Sequence, residues 1–256
     1  MLPLYPPPPI VLPTTYAIAA PTVYLSGDST MAPGSETAGR QGWGGHLKDW
    51  ISLAVVNKAF PGRSARSFTR EGRFNEIASL VKPGDFVVIE FGHNDGGSPN
   101  PTDNGRSACP GAGSETCVVV TSGNTKETVL TFPAYLTNAV NKFKSLGAKV
   151  IVSSQTPNNP WESGTFVLAP PRFVPFAEQV ASQTGVSYVS HFQFAASAWQ
   201  KAGNATTFAD FLPGDHTHTN AAGARIVAEA FVRGLLCAVR PSGLETFISK
   251  TPAGQC

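Results

Sequence analysis

The chain has 256 residues, 41% of them hydrophobic and 14% charged, enough to bury a full core and to be read as one large domain. A formal net charge of +2, with no run of Lys or Arg, excludes the electrostatic footprint of a nucleic-acid binder. No stretch approaches about 18 apolar residues free of charge and proline, so a membrane-spanning helix is not expected.

Residues 1–21 differ from the rest. Pro6 to Pro9 are consecutive and no basic residue precedes the apolar stretch 10–20, which makes a poor secretory signal. Yet Ala17-Ile18-Ala19 has the small-x-small form of a cleavage site, so 1–21 is read as a degenerate leader and 22–256 as the folded domain.

The first strand runs through Val23-Tyr24-Leu25-Ser26-Gly27 and offers the Ser29 hydroxyl where the backbone must turn; alone, Gly27-Asp28-Ser29 reads as an ordinary turn. Trp43, Leu47, Trp50 and Ile51 fall on one helical face, predicting a helix over 42–51. Residues 54–57 read as a strand ending before Pro61-Gly62, and a helix is expected over about 69–80, closed by Pro83-Gly84. The nearly continuous apolar run 85–91 suits a parallel strand covered on both faces, and leads into Gly92-His93-Asn94-Asp95. Residues 96–127, rich in Gly, Ser, Asn, Thr and Pro, predict a long surface excursion.

Leu136, Ala139, Val140, Phe143 and Leu146 mark a helix stopped by Gly147, followed by a strand over 149–154 and a loop over 155–161. A helix over 172–184, a strand over 186–190 and a helix over 192–202 come next. The loop 211–218 then precedes a helix with Ile226, Val227, Ala230, Phe231 and Leu235 facing inward. Strands alternating with helices predict a parallel five-stranded sheet between two helical layers. Such sheets bind ligands outside the carboxyl ends of their strands, where Ser29, Gly62 and Asn94 are all expected.

Four cysteines allow three pairings, of which Cys109 with Cys117 and Cys237 with Cys256 are favoured because each pins a segment that would otherwise wander. No Cys-x-x-Cys spacing suggests zinc, and Asn204-Ala205-Thr206 is an N-glycosylation acceptor. These features point to an oxidising, extracellular setting.

A serine hydroxyl needs a base to take its proton, and that base needs a group to orient its other ring nitrogen. Asp215 and His218 are spaced so that one helical turn sets them side by side and points His216 about 100 degrees away, leaving His216 as a polar or packing neighbour. A polar helix entry and a metal cluster of both histidines with Asp215 are the competing readings; no further His or acidic cluster has ligand spacing, so no metal is expected. The amides of Ser29 and Gly62 and the side-chain amide of Asn94 are candidate donors to an oxyanion.

Gly27-Asp28-Ser29, Gly62, Gly92-His93-Asn94-Asp95 and Asp215-x-x-His218, in that order, resemble the SGNH hydrolases, esterases named for their Ser, Gly, Asn and His. From about residue 22 onward the chain is most similar to the rhamnogalacturonan acetylesterase branch, through the stretches 62–67, 91–97 and 155–161; Thr30 stands where the broader lipase motif has Leu. The resemblance implies a flavodoxin-like three-layer α/β/α fold and removal of O-acetyl groups from the rhamnogalacturonan backbone of pectin. It also implies Ser29 as nucleophile, His218 as base, Asp215 as its orienting acid, an oxyanion hole of Ser29, Gly62 and Asn94, and no cofactor. The expected partner is an acetylated pectic polysaccharide, met by a secreted monomer, with no nucleic acid or membrane involved. Because that polymer carries carboxylates, Arg63 and Arg66 are candidate substrate contacts, with pairing to protein Asp or Glu as the alternative. Trp161 is a candidate sugar-stacking wall or a packed core residue. The same triad acting on acetylated xylan or another ester is the second reading; a carbohydrate-binding module with a degenerate site is disfavoured by the intact set Ser29, Asn94, Asp215 and His218.

Overall fold

Runs of β-branched and aromatic residues pair into one five-stranded parallel sheet in the computed structural model, which describes residues 20–34, 39–121, 124–254 and 256. The leader expected over 1–21 lies, but for its last two residues, outside the described residues. The strands β1 (Thr22–Gly27), β2 (Ala54–Asn57), β3 (Phe86–Phe91), β6 (Lys149–Ser154) and β7 (Ser187–Val189) lie in the order β2-β1-β3-β6-β7. Strand order therefore reverses between β1 and β3, and the crevice beyond their carboxyl ends is where such a fold opens a binding site. A separate antiparallel hairpin joins β4 (Thr116–Val120) to β5 (Lys126–Leu130).

All six residues of β3 are buried, as a strand covered on both faces requires. Its side chains alternate between two cores. Val87, Ile89 and Phe91 pack with Phe68 of α1 (Ala65–Arg70), Ile77 of α2 (Arg73–Ala78), Leu136 of α3 (Phe132–Ser145) and Val180 of α4 (Phe173–Thr184). Phe86 and Val88 pack on the other face with Trp199 of α5 (His191–Ala202) and Phe231 of α7 (Ala221–Leu236). Glu90, buried on that second face, accepts from the indole N–H of Trp43 at 2.8 Å and from Ser153 at 2.5 Å, and lies 2.7 Å from Nδ1 of His191.

Several expected elements differ. Residues 42–51 form two short 3-10 turns, Trp43–Gly45 and Leu47–Asp49, because glycines at 42, 44 and 45 make a continuous helix expensive. Trp43 is held instead by Glu90 and by stacking on Phe231 at 4.6 Å, and Trp50 is only half-buried. The helix expected over 69–80 starts earlier, at Ala65, where Ser64 and Ser67 form a reciprocal cap, and it is broken into α1 and α2 at Gly72. The excursion 96–127 contains β4 and the start of β5, and α6 (Asn204–Asp210) has no counterpart in the predicted elements. Both favoured disulfides are present, Cys109–Cys117 and Cys237–Cys256. No helix among the described residues is long and apolar enough to cross a membrane.

Arg66 corrects a second expectation. Its side chain is fully buried, forked onto Asp103 at 2.7 and 2.8 Å and onto Glu127 at 2.9 and 2.8 Å, with Nη1 also donating to the Ser107 carbonyl at 3.0 Å. It cannot meet a substrate; it locks α1 to the 103–107 loop and to β5. Arg66→Met is expected to lower unfolding free energy by about 3–5 kcal/mol in urea titration, since it strands two carboxylates that are mostly shielded from water. A loss below about 1 kcal/mol would show that the lock is energetically idle.

Candidate active site

The turn after β1 is built by its own acid. Asp28 Oδ1 accepts from the Thr30 amide and hydroxyl, both at 2.9 Å, and its carbonyl accepts from Ala32 N at 2.9 Å, so the backbone turns sharply and lifts Ser29 to the sheet edge. Gly27 is required just before it: a Cβ there would lie 2.7 Å from the Glu90 carbonyl oxygen of β3.

The base comes from the other end of the chain. Loop 211–219 is closed by a bridge between Phe211 and Thr219, so the segment holding Asp215 is a closed loop and not the helical turn its spacing predicts. Asp215 Oδ1 accepts from the amides of Thr217 at 2.7 Å and His218 at 3.0 Å, which bends the backbone back and carries the His218 ring to Oδ2 at 2.7 Å. His218 Nε2 lies 2.9 Å from Ser29 Oγ. A carboxylate only accepts, so Nδ1 carries the proton of the neutral ring and Nε2 presents its lone pair to the serine hydroxyl. Burial pushes the Asp215 carboxyl up, but the two amides and the imidazole more than offset it, and the net shift is downward, favouring the anion. His216 points elsewhere, 3.2 Å from Glu162.

The remaining predicted donors gather at the same edge. Gly62 has φ of 75°, a left-handed conformation that favours glycine, and nothing lies within 4 Å of where a Cβ would be, so its backbone is open to approach. Asn94 follows β3; one of its two amide protons goes to the Arg63 carbonyl at 3.2 Å, which ties it to the Gly62 loop and leaves the other proton for a ligand. Asp95 adds a second tie by accepting from Ala65 N at 2.8 Å. It is wholly buried, its Oδ2 has no partner among the described residues, and desolvation, reinforced by Asp28, pushes its carboxyl well above the ordinary range.

Arg63 and Trp161 both have partners within the protein. The Arg63 guanidinium is held by both oxygens of Glu71 at 3.0 Å and lies over the Phe60 ring at 4.5 Å; its carbonyl serves the site instead. Trp161 is half-buried, its indole N–H donating to the Trp199 carbonyl at 3.0 Å and its ring set edge-on to Phe166. A cleft of about 510 Å³ opens in the same loop region, lined by residues that include Gln155, Asn158, Asn159, Glu162 and Phe192. It adjoins the His218 loop, because Asn159 N donates to the His216 carbonyl at 2.7 Å and Thr217 to Asn158 at 3.0 Å. Asn158 and Asp95 carry no signal in sequence spacing that sets them apart from turn residues. No cluster of three or more potential metal ligands occurs among the described residues.

Comparison with known proteins places the chain among hydrolases. The profile of the GDSL-like lipase/acylhydrolase family matches residues 25–226. A rhamnogalacturonan acetylesterase of Emericella nidulans is 55% identical over 218 residues, covering 85% of this chain and 86% of that protein. A probable rhamnogalacturonan acetylesterase of Bacillus subtilis, YesY, is 24% identical over 83% of this chain and 91% of its own length. Among solved structures, Bacillus subtilis YxiM superposes with a TM-score of 0.68 at 22% identity, covering 86% of this chain and 57% of that one. The acetylxylan esterase Axe2 of Geobacillus stearothermophilus does so with a TM-score of 0.54 at 19% identity, covering 84% and 93%. At those identities the structural matches speak for the fold alone.

The buried acid behind Asn94 has a measurable signature. Above pH 3.8, the ordinary carboxyl value, Asp95 ionises freely in the unfolded chain but keeps its proton in the fold, so its contribution to stability is lost as pH rises toward the folded value. Asp95→Asn should therefore flatten the fall in stability that sets in as pH rises above the ordinary carboxyl value in urea titrations. An unchanged slope would show that Asp95 is ionised in the fold.

Proposed function

The chain belongs to the GDSL-like lipase/acylhydrolase family and is a carboxylic-ester hydrolase, and from that premise we propose that it removes O-acetyl groups from rhamnogalacturonan, the acidic backbone of pectin, by a serine acyl-enzyme mechanism. The observation that carries the mechanism is the pair of hydrogen bonds running Ser29 to His218 to Asp215, at 2.9 and 2.7 Å, over the crevice between β1 and β3. The substrate reading is supported by the 55% identity to the Emericella nidulans acetylesterase.

In this reading, Ser29 Oγ attacks the acetyl carbonyl while its proton passes to His218 Nε2, and the resulting imidazolium is held by the Asp215 carboxylate. The oxyanion is met by the amides of Ser29 and Gly62 and by the remaining side-chain proton of Asn94; one such donor is worth about 3–4 kcal/mol of barrier. Collapse breaks the bond to the sugar oxygen, which leaves with the proton from His218, and the acetyl group stays on Ser29. Water then gives a proton to His218 and attacks the acetyl-serine, and collapse releases acetate as Ser29 recovers its proton.

Residues 22–256 form the hydrolase domain in this account, acting outside the cell as a monomer. The two disulfides and the exposed Asn204 acceptor at the start of α6 support that setting.

Acetate release should be fastest from acetylated rhamnogalacturonan, slower from acetylated xylan and from an aryl acetate. Ser29→Ala and Asp215→Asn should each remain folded by circular dichroism yet lose about 10⁴-fold or more in kcat. Equal or better turnover of acetylated xylan would reassign the substrate, and substantial turnover by Ser29→Ala would remove the mechanism.

A further inference from the structure

The arginines around the crevice fall into two sets. Arg63, Arg66, Arg70 and Arg73 are each paired with a protein carboxylate, Glu71, Asp103 or Glu127. Arg106 and Arg172 have no carboxylate within ion-pair distance among the described residues, and both are exposed. They flank one short loop: Arg106 Nη1 donates to Asn94 Oδ1 at 3.1 Å, and Arg172 Nη2 donates to the Gly97 carbonyl at 3.0 Å. Arg106, held by a neutral acceptor, therefore stands beside the amide expected to meet the oxyanion, with Arg172 on the same loop.

The backbone that carries Arg106 is also fixed by local hydrogen bonds. Asn104 Oδ1 accepts from the amides of Arg106 and Ser107, both at 2.8 Å, and Ser107 Oγ donates to the Gly96 carbonyl at 2.7 Å. Beneath this turn, buried Arg66 holds the Ser107 carbonyl and Asp103. Asn94 occupies one donor of the Arg106 fork, and the others remain for a planar anion, which a guanidinium can grip with two parallel hydrogen bonds.

We propose that Arg106 is a carboxylate anchor, binding a uronate carboxylate of the polymer so that the ester is delivered to Ser29. This rests on the pectic reading above and adds to it the residue that selects a charged polymer over a neutral one. The contact to Asn94 gives Arg106 a positioning role as well, and the test separates the two.

Acetate release by wild type, Arg106→Gln and Arg106→Lys is measured on three substrates: acetylated rhamnogalacturonan, the same polymer with its uronate carboxyls reduced to alcohols, and an aryl acetate. The anchor predicts that Arg106→Gln loses kcat/KM by about tenfold more on the native polymer than on the reduced one, mainly through KM, with partial recovery in Arg106→Lys. Added salt should shrink the wild-type preference for the native polymer. A loss of equal size on all three substrates would leave Arg106 with the orientation of Asn94 only and overturn the anchor. Wild type that hydrolyses the aryl acetate but neither polymer would instead sink the pectic reading, and the anchor with it.

Discussion

The site depends on one hydrogen bond joining groups 189 residues apart, from Ser29 Oγ to His218 Nε2 at 2.9 Å. Neither partner is reactive alone. The hydroxyl needs a lone pair within hydrogen-bond reach, and the ring offers one there only if its other nitrogen keeps the proton. Asp215 secures that state locally, using one oxygen to bend the backbone through Thr217 and His218 and the other to hold the ring. The loop is further fastened to neighbours, through Thr219 to the Gln41 carbonyl and through Thr217 to Asn158, so the imidazole is placed by contacts outside its own turn.

The sheet does the rest of the positioning. Parallel pairing aligns the carboxyl ends of β1 and β3, and the reversal of strand order between them leaves a gap that no crossover helix fills. Ser29 and Asn94 stand on the two sides of that gap. Holding them there costs something: Asp28 and Asp95 are buried directly beside them, each with one oxygen lacking a partner among the described residues and each shifted toward its neutral form by desolvation. Both acids use their other oxygen to fix backbone at the site, Asp28 through Thr30 and Asp95 through Ala65. Stability is given up at the place where geometry must be exact to fractions of an ångström.

Much of this was legible in the chain. The run 85–91 reads as a two-sided strand because every residue of Phe86–Phe91 is apolar or, at Glu90, held within a buried network. The order of Ser29, Gly62, Asn94 and Asp215-x-x-His218 already suggests convergence, since each follows a strand or precedes a helix at one edge. Periodicity misled over 42–51, where the apolar spacing is that of a helix but glycines favour tight turns. Proximity to the oxyanion loop in sequence singles out Arg63 and Arg66 without deciding between substrate and protein carboxylates, because their partners Glu71, Asp103 and Glu127 lie 8, 37 and 61 residues away, mostly beyond local pattern. Arg106, within a stretch that composition marks only as a loop, reaches Asn94 because a distant buried arginine braces its turn.

The central claim is that His218 activates Ser29, and the most direct measurement is mass spectrometry of the protein after treatment with a reactive alkyl phosphonate ester. The account predicts a single adduct on Ser29, formed rapidly in wild type and far more slowly in His218→Ala. An adduct on another residue, or labelling of Ser29 at the same rate without the imidazole, would contradict it.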